Sequence, residues 1–366
     1  MRILYLTDRM SVRGGADHHL AQVVSQAAQA GHRVSIAFGR GGQPPPEIAD
    51  VERLRIPGLG GRVDSESRLG GLARALNRAD VVHIQNVMNP TVLDRATERG
   101  RVIVTVQDHR FFCPGPGKTM PDGSVCTKPM GDEVCSACLT DPTYRRNMVD
   151  LTRRRLASLT GAHIVVLSRY MAGELADAGL DHARVIPPWV EIGPSRSDAG
   201  STVMLGGRLV RHKAVLDGWR AWDRAGRPLP LVLAGAGPLE AEFDGASKLG
   251  WLSREDLLTE LRACRLLLFP ARWQEPFGIL GLEALAQGTP VVVAACGGTS
   301  DWSAHGCIEV EPGDVSRMAA AIEELASDPE RATTLGREGQ ELARERFAKE
   351  PVTRALLGLY DEVAAS

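Results

Sequence analysis

Apolar residues in this chain gather in short unbroken runs separated by longer mixed stretches. In the first half these runs are RILYLT, HRVSIAFG, VVHIQN, RVIVTVQ and HIVVLS. Runs without polar alternation predict strands buried on both faces, hence a parallel sheet, and the segments between them carry helical patterns. One helix is predicted over residues 16–30, after Gly14-Gly15 and before Gly31 as its stop. Residues 185–201, VIPPWVEIGPSRSDAGS, are rich in Pro, Gly and Ser and read as a hinge. The pattern then restarts with TVMLGG, PLVLAG, RLLLFP and PVVVAA, and residues 314–366 are helical in pattern. The expected fold is α/β, with two Rossmann-like domains facing a cleft. They would cover residues 1–190 and 200–345, with a helix over 346–366 packing back toward the first domain.

Composition narrows the class. With 366 residues and 43% apolar content, the chain can bury two cores. A net charge of −2 gives no general pull toward nucleic acid or membrane. The opening MRILYLTDRM meets Asp8 and Arg9 too early for a signal peptide, and no apolar run reaches the ~20 residues of a spanning helix. A soluble cytoplasmic protein is expected. The stretch YRRNMVDLTRRRLASL carries Arg145, Arg146, Arg153, Arg154 and Arg155, which leaves peripheral membrane contact open beside the plainer reading of a solvated helix face.

The chemistry concentrates in EPFGILGLEALAQGTPVVVAA. Glu275 precedes a helix that follows Phe277-Gly278, and Glu283 lies about one turn inside it. The helix start offers unpaired N–H groups to a diphosphate, and Gly278 permits close approach. Upstream, GGRLVRHKA places Arg208 and Lys213 after a strand end, as cations suited to phosphate oxygens. LAGAGPLE, containing Gly237, is a third glycine-rich strand end. In this order and spacing the motifs resemble those of the family 4 glycosyltransferases of GT-B fold, and GGADHHL near the N-terminus matches that family's Gly-Gly loop.

The resemblance implies retaining transfer of a sugar from a nucleotide diphosphate to an acceptor. UDP-sugar is the first expectation for the donor and GDP-sugar the second; the acceptor would be a glycan or a small natural product. It implies donor contacts from Arg208, Lys213, Gly237, Glu275, Glu283 and the backbone of Phe277, Gly278 and Ile279. Gly14 and Gly15 would approach the diphosphate from the acceptor-side first domain. No catalytic divalent ion would be needed, because the cations and the helix dipole neutralise the leaving group. The alternatives are another GT-B enzyme, an epimerase or phosphorylase, or a catalytically weak, metal-stabilised nucleotide-sugar-binding protein.

One stretch departs from the family. Where many members place His at the end of the strand matching VIVTVQ, this chain reads Gln107, Asp108, His109. Gln cannot act as a base. Asp108 is expected to touch substrate, with Gln107 and His109 close behind. The following segment holds Cys113, Cys126, Cys135 and Cys138, ending in CxxC. That spacing predicts a tetrahedral structural zinc, with an iron–sulfur cluster or free thiols as the alternatives. Cys264, Cys296 and Cys307 sit among apolar neighbours and read as core residues.

Overall fold

The computed structural model describes residues 1–12 and 14–366. The chain divides into two units, one of Met1–Pro187 with Val352–Ser366 and one of Pro188–Pro351.

The N-terminal unit runs β1 (Arg2–Met10), α1 (Gly15–Gln29), β2 (Arg33–Gly41), β3 (Glu52–Arg55), α2 (Leu72–Arg78), β4 (Val81–Gln85), α3 (Pro90–Arg99), β5 (Val102–Val106), α4 (Pro142–Ala157), β6 (His163–Val166), α5 (Arg169–Asp177) and β7 (Arg184–Val185). Its strands lie in the order β3-β2-β1-β4-β5-β6-β7, every pair parallel. β4 and β5 are buried at every position, as unbroken apolar runs require. The chain leaves β1 toward β2 and later returns to its other side with β4. The carboxyl ends of β1 and β4 therefore mark the switch point of this sheet, where open α/β sheets bind ligands.

The C-terminal unit repeats the plan with β8 (Thr202–Gly206), α6 (Val215–Arg224), β9 (Leu231–Ala234), β10 (Ala246–Gly250), α7 (Arg254–Ala263), β11 (Cys264–Phe269), α8 (Ile279–Ala286), β12 (Val291–Ala294), β13 (Cys307–Val310), α9 (Val315–Ser327) and α10 (Pro329–Phe347). The order β10-β9-β8-β11-β12-β13 puts its switch between β8 and β11. The last helix, α11 (Lys349–Ala365), carries the chain back into the N-terminal unit. There the Tyr360 hydroxyl meets Tyr5 Oη at 2.7 Å and His83 Nδ1 at 2.8 Å, and His83 Nε2 meets Thr105 Oγ1 at 2.6 Å. One buried hydrogen-bonded chain thus ties α11 to β1, β4 and β5.

Helix starts are handled in two ways. Asn89, Asp141, Ser168 and Ser253 cap α3, α4, α5 and α7 with their side chains. α1 and α8 instead begin at Gly14 (φ 122°) and Gly278 (φ 82°), with no side-chain cap. Their first N–H groups stay open to other partners.

Candidate functional site

In the C-terminal unit the candidate residues collect at the switch point. Glu275 is 3% exposed. Its Oε1 accepts from Lys213 Nζ at 2.5 Å and from the Trp273 indole N–H at 2.7 Å. Lys213 also lies 5.1 Å from the Trp273 ring centre, and His212 packs edge-on against the same ring. Burial lowers the proton affinity of His212, helped by Arg208 and Lys213, so the two cations sit near one another. Arg208 is exposed at the end of β8, and its side chain has no ion-pair or hydrogen-bond partner among the described residues. Arg208 is therefore available to an incoming diphosphate, while Lys213 is a partly exposed cation shared with Glu275.

α8 is placed by its aromatic surroundings. Phe277 is 1% exposed and its carbonyl accepts the Trp302 indole N–H at 2.7 Å. A Cβ at Gly281 would lie 2.2 Å from Trp302, so only glycine lets the helix sit there. Ile279 opens the helix. Glu283, one turn on, is 4% exposed and forms an ion pair with Arg254 at the start of α7. Burial raises the Glu283 carboxyl and Arg254 opposes that rise. Arg254 was not singled out by the sequence reading, because its motif lies far from Glu283 along the chain and only folding joins them. Gly237 is used internally: a Cβ there would meet the Leu209 carbonyl oxygen at 2.4 Å.

In the N-terminal unit, the three residues at the end of β5 have different partners. Gln107 is held from both sides of its amide. Its Nε2 donates to His19 Nδ1 at 2.7 Å and to Gln85 Oε1 at 3.0 Å, while its Oε1 accepts from Asn86 Nδ2 at 3.1 Å. Because Nδ1 accepts, His19 carries its proton on Nε2, and burial pulls its pKa down to about 4. Asn86 adopts φ 61°, a conformation asparagine tolerates better than most residues. Asp108 caps the short turn that follows and pairs with Arg110 (Nε to Oδ2, 2.7 Å). Its carboxyl lies below the usual range; burial works against this, and the charge and hydrogen bonds of Arg110 outweigh it. His109 is buried, with Nε2 3.0 Å from the Tyr170 hydroxyl. Gly14 and Gly15 form the open start of α1 in this unit.

The cysteine spacing predicts a four-cysteine metal site. Among the described residues no three His, Cys, Asp or Glu side chains are grouped so as to hold a metal ion. Cys113, Cys126, Cys135 and Cys138 are all free thiols. They share one loop, and a Cβ on Gly115 would touch the sulfurs of both Cys138 and Cys113, at 3.8 and 3.9 Å. Burial raises the Cys135 and Cys138 thiols, and the charges of Cys113 and Cys126 add to the rise at both, so the four sulfurs lie within electrostatic reach of one another. Ion pairs also tie the loop down. Lys118, φ 57°, forms a buried ion pair with Glu174 at 3.0 Å and donates to the Lys128 carbonyl at 3.2 Å. Arg145 binds Asp132 at 2.9 Å and the Leu139 carbonyl at 3.0 Å.

The arginines of α4 are largely engaged. Arg154 pairs with Asp64, and Arg155 is buried on the carbonyls of Met88, Arg110 and Arg62. Among the described residues no helix is long and apolar enough to cross a membrane.

Two parallel-sheet α/β domains, with the site at the carboxyl ends of the second sheet, define the GT-B fold of glycosyltransferases. Solved structures agree along the whole chain. A HepE protein from Anabaena, solved with UDP and glucose, superposes with a TM-score of 0.74 at 18% identity, covering 99% of this chain and 100% of that one. Sucrose-phosphate synthase from Thermosynechococcus elongatus gives 0.73 at 20% identity, covering 100% of both chains. Residues 14–189 match the glycosyl transferase 4-like domain and residues 198–342 the glycosyl transferases group 1 family. Together these matches indicate a family 4-like group 1 glycosyltransferase. Similar curated proteins include glycogen synthase of Mycobacterium tuberculosis, 31% identical over 42% of this chain and 41% of its own length. Alpha-D-kanosaminyltransferase of Streptomyces kanamyceticus is 27% identical over 44% of this chain and 45% of its own. The chain thus spans under half the length of these relatives.

Proposed function

We propose that this protein transfers a sugar from a nucleotide diphosphate sugar, UDP-sugar first and GDP-sugar second, to a glycan or natural-product hydroxyl, with retention at the anomeric carbon. The observation that carries the reading is the grouping of Arg208, Lys213 and Glu275 at the switch point of the C-terminal sheet. The uncapped start of α8 supports it. UDP is favoured because the structurally similar HepE protein was solved with UDP and glucose.

In the reaction the bond from the anomeric carbon to the diphosphate breaks, and a bond to the acceptor oxygen forms. The diphosphate leaves with the electron pair, and the acceptor hydroxyl gives up its proton to an oxygen of that leaving diphosphate. Arg208, Lys213 and the open N–H groups of α8 oppose the charge developing on the leaving group. Glu283, oriented by Arg254, accepts hydrogen bonds from the ribose. Glu275, fixed by Lys213 and Trp273, holds hydroxyls of the donor sugar. In the N-terminal unit Asp108, partly exposed and oriented by Arg110, is the acceptor-side polar group. Gln107 and His109 flank it along the chain, with their side chains engaged by His19, Gln85 and Asn86 and by Tyr170.

A thermal-shift panel of UDP-, GDP-, ADP- and TDP-sugars tests this reading, since a ligand bound by the native state alone raises its stability. Stabilisation by UDP-sugar ahead of the others is expected; no response to any of them removes the proposal. Product analysis with donor alone separates transfer from epimerisation, which needs no acceptor. The locked amide of Gln107 favours a second reading, a nucleotide-sugar-binding protein of weak turnover, and would leave donor binding without product. A structural zinc on Cys113, Cys126, Cys135 and Cys138 is proposed only as an ion-induced closure of the loop. Elemental analysis of reductively purified protein decides it: about one ion per chain supports closure, and far less removes it.

A further inference from the structure

Three half-exposed arginines stand at the carboxyl edge of the N-terminal sheet, each held from beneath by a less exposed aspartate. Arg9 binds Asp17 through Nε and Nη2, both at 3.1 Å. Arg40 binds Asp8 through Nη2 at 3.1 Å. Arg110 binds Asp108, with Nε 2.7 Å from Oδ2. The arginine side chains are 47%, 50% and 36% exposed, their partners 5%, 13% and 26%. The carboxylates therefore lie inward and the guanidinium N–H groups outward.

The pairs form one cluster. Asp8 lies near the carboxyl end of β1, receives Arg40, and is close enough to Arg110 and Asp17 to influence the titration of both. Arg40 is laid across Gly60, where a Cβ would meet its Cγ at 2.7 Å. Arg155 lies beneath, close to Arg110 and Asp108. Its hydrogen bonds all go to backbone carbonyls, and burial lowers its pKa only to about 10, so it stays charged at neutral pH. Among the described residues, Arg9, Arg40, Arg110 and Arg155 against Asp8, Asp17 and Asp108 leave one positive charge in excess, and Arg62 beside Arg155 adds to it. Guanidiniums pre-oriented by carboxylates have little freedom left to lose on binding and keep N–H groups for planar recognition of an oxyanion. The cluster occupies the switch point between β1 and β4, where a ligand is expected on topological grounds.

We propose that Arg9, Arg40 and Arg110, oriented by Asp17, Asp8 and Asp108, dock an oxyanion carried by the acceptor, a phosphate or carboxylate group set beside the hydroxyl that receives the sugar. The proposal rests on the reading of the N-terminal unit as the acceptor side. It makes the substrate class anionic rather than neutral.

The test uses the full chain saturated with UDP, so that the donor site is occupied. Binding of glucose 6-phosphate, glucuronate and glucose is measured by calorimetry for wild type, Arg9→Gln, Arg40→Gln and Arg40→Lys. One or both anionic sugars should bind at least tenfold more tightly than glucose, and which one does so separates phosphate from carboxylate. Each Gln variant should lose about tenfold of that preference, and Arg40→Lys should recover part of it. Circular dichroism melting identifies any variant that fails to fold, and the salt dependence of wild-type binding provides a readout independent of mutation. Equal binding of the three sugars by wild type, or a preference that survives both Gln variants, overturns the proposal. Failure to bind UDP at all would instead defeat the functional reading on which it rests.

Discussion

Lys213 Nζ lies 2.5 Å from Glu275 Oε1, and the carboxylate is 3% exposed. A buried charge that loses its partner is penalised, while the net worth of the intact pair is small. Lys213→Ala is therefore expected to destabilise the C-terminal unit by about 2–3 kcal/mol, below the cost for a fully buried pair because the lysine is partly exposed. Glu275→Gln added to that variant should restore most of the stability and none of the turnover. Urea denaturation and a product assay on both variants check this. Recovery of activity along with stability would remove Glu275 from the donor site.

Gln107 occupies the position where the family resemblance led us to expect a catalytic side chain, yet its amide makes three hydrogen bonds inside the unit. Gln107→Ala should cost about 1–3 kcal/mol of stability, since it leaves buried polar groups of His19, Gln85 and Asn86 without this partner. The loss in kcat should be under about tenfold, far less than for Glu275→Gln. Steady-state kinetics beside a melting curve separates the two effects.

This residue also marks the limit of what the sequence discloses. The buried central strands were legible because their apolar runs are unbroken. β3 and β10 lie at sheet edges with mostly exposed side chains and left no such signal. The glycine starts of α1 and α8 were legible as motifs. Arg254 beside Glu283, and His19 beside Gln107, were not, because each pair joins separate segments whose meeting only the sheet order determines. The cysteine spacing was legible as a possible ligand set. Spacing states which sulfurs could converge, and the ion pairs of Lys118 with Glu174 and of Arg145 with Asp132 also tie down the loop that carries them.

His19 and His83 are buried and neutral, with pKa values pulled down by burial to about 4 and about 3. The unfolded chain binds these protons near pH 6.5 and the folded chain does not. Their contribution to stability is therefore fully present above about pH 6.5 and declines as the pH falls toward the folded values. The urea midpoint should drop between pH 7.5 and pH 4.5. His83→Gln, although less stable at pH 7.5, should show a shallower drop. An equally steep drop in the variant would assign the acid sensitivity elsewhere.

Tyr360 joins α11 to the N-terminal sheet through the hydroxyl of Tyr5 and the ring of His83. Tyr360→Phe keeps the packing and removes the shared hydroxyl, at a cost of about 1–3 kcal/mol. Hydrogen exchange should rise in α11 and at Thr105, while donor affinity in the C-terminal unit stays unchanged.

The central claim is that the C-terminal unit binds the diphosphate of a UDP-sugar through Arg208 and Lys213. Calorimetric titration of UDP into wild type, Arg208→Ala and Lys213→Ala tests it most directly. The predicted result is saturable one-site binding by wild type, weakened at least about tenfold in each variant, as expected for loss of a charge-assisted hydrogen bond. Unchanged affinity in Arg208→Ala, whose exposed side chain has no partner among the described residues, would contradict the assignment.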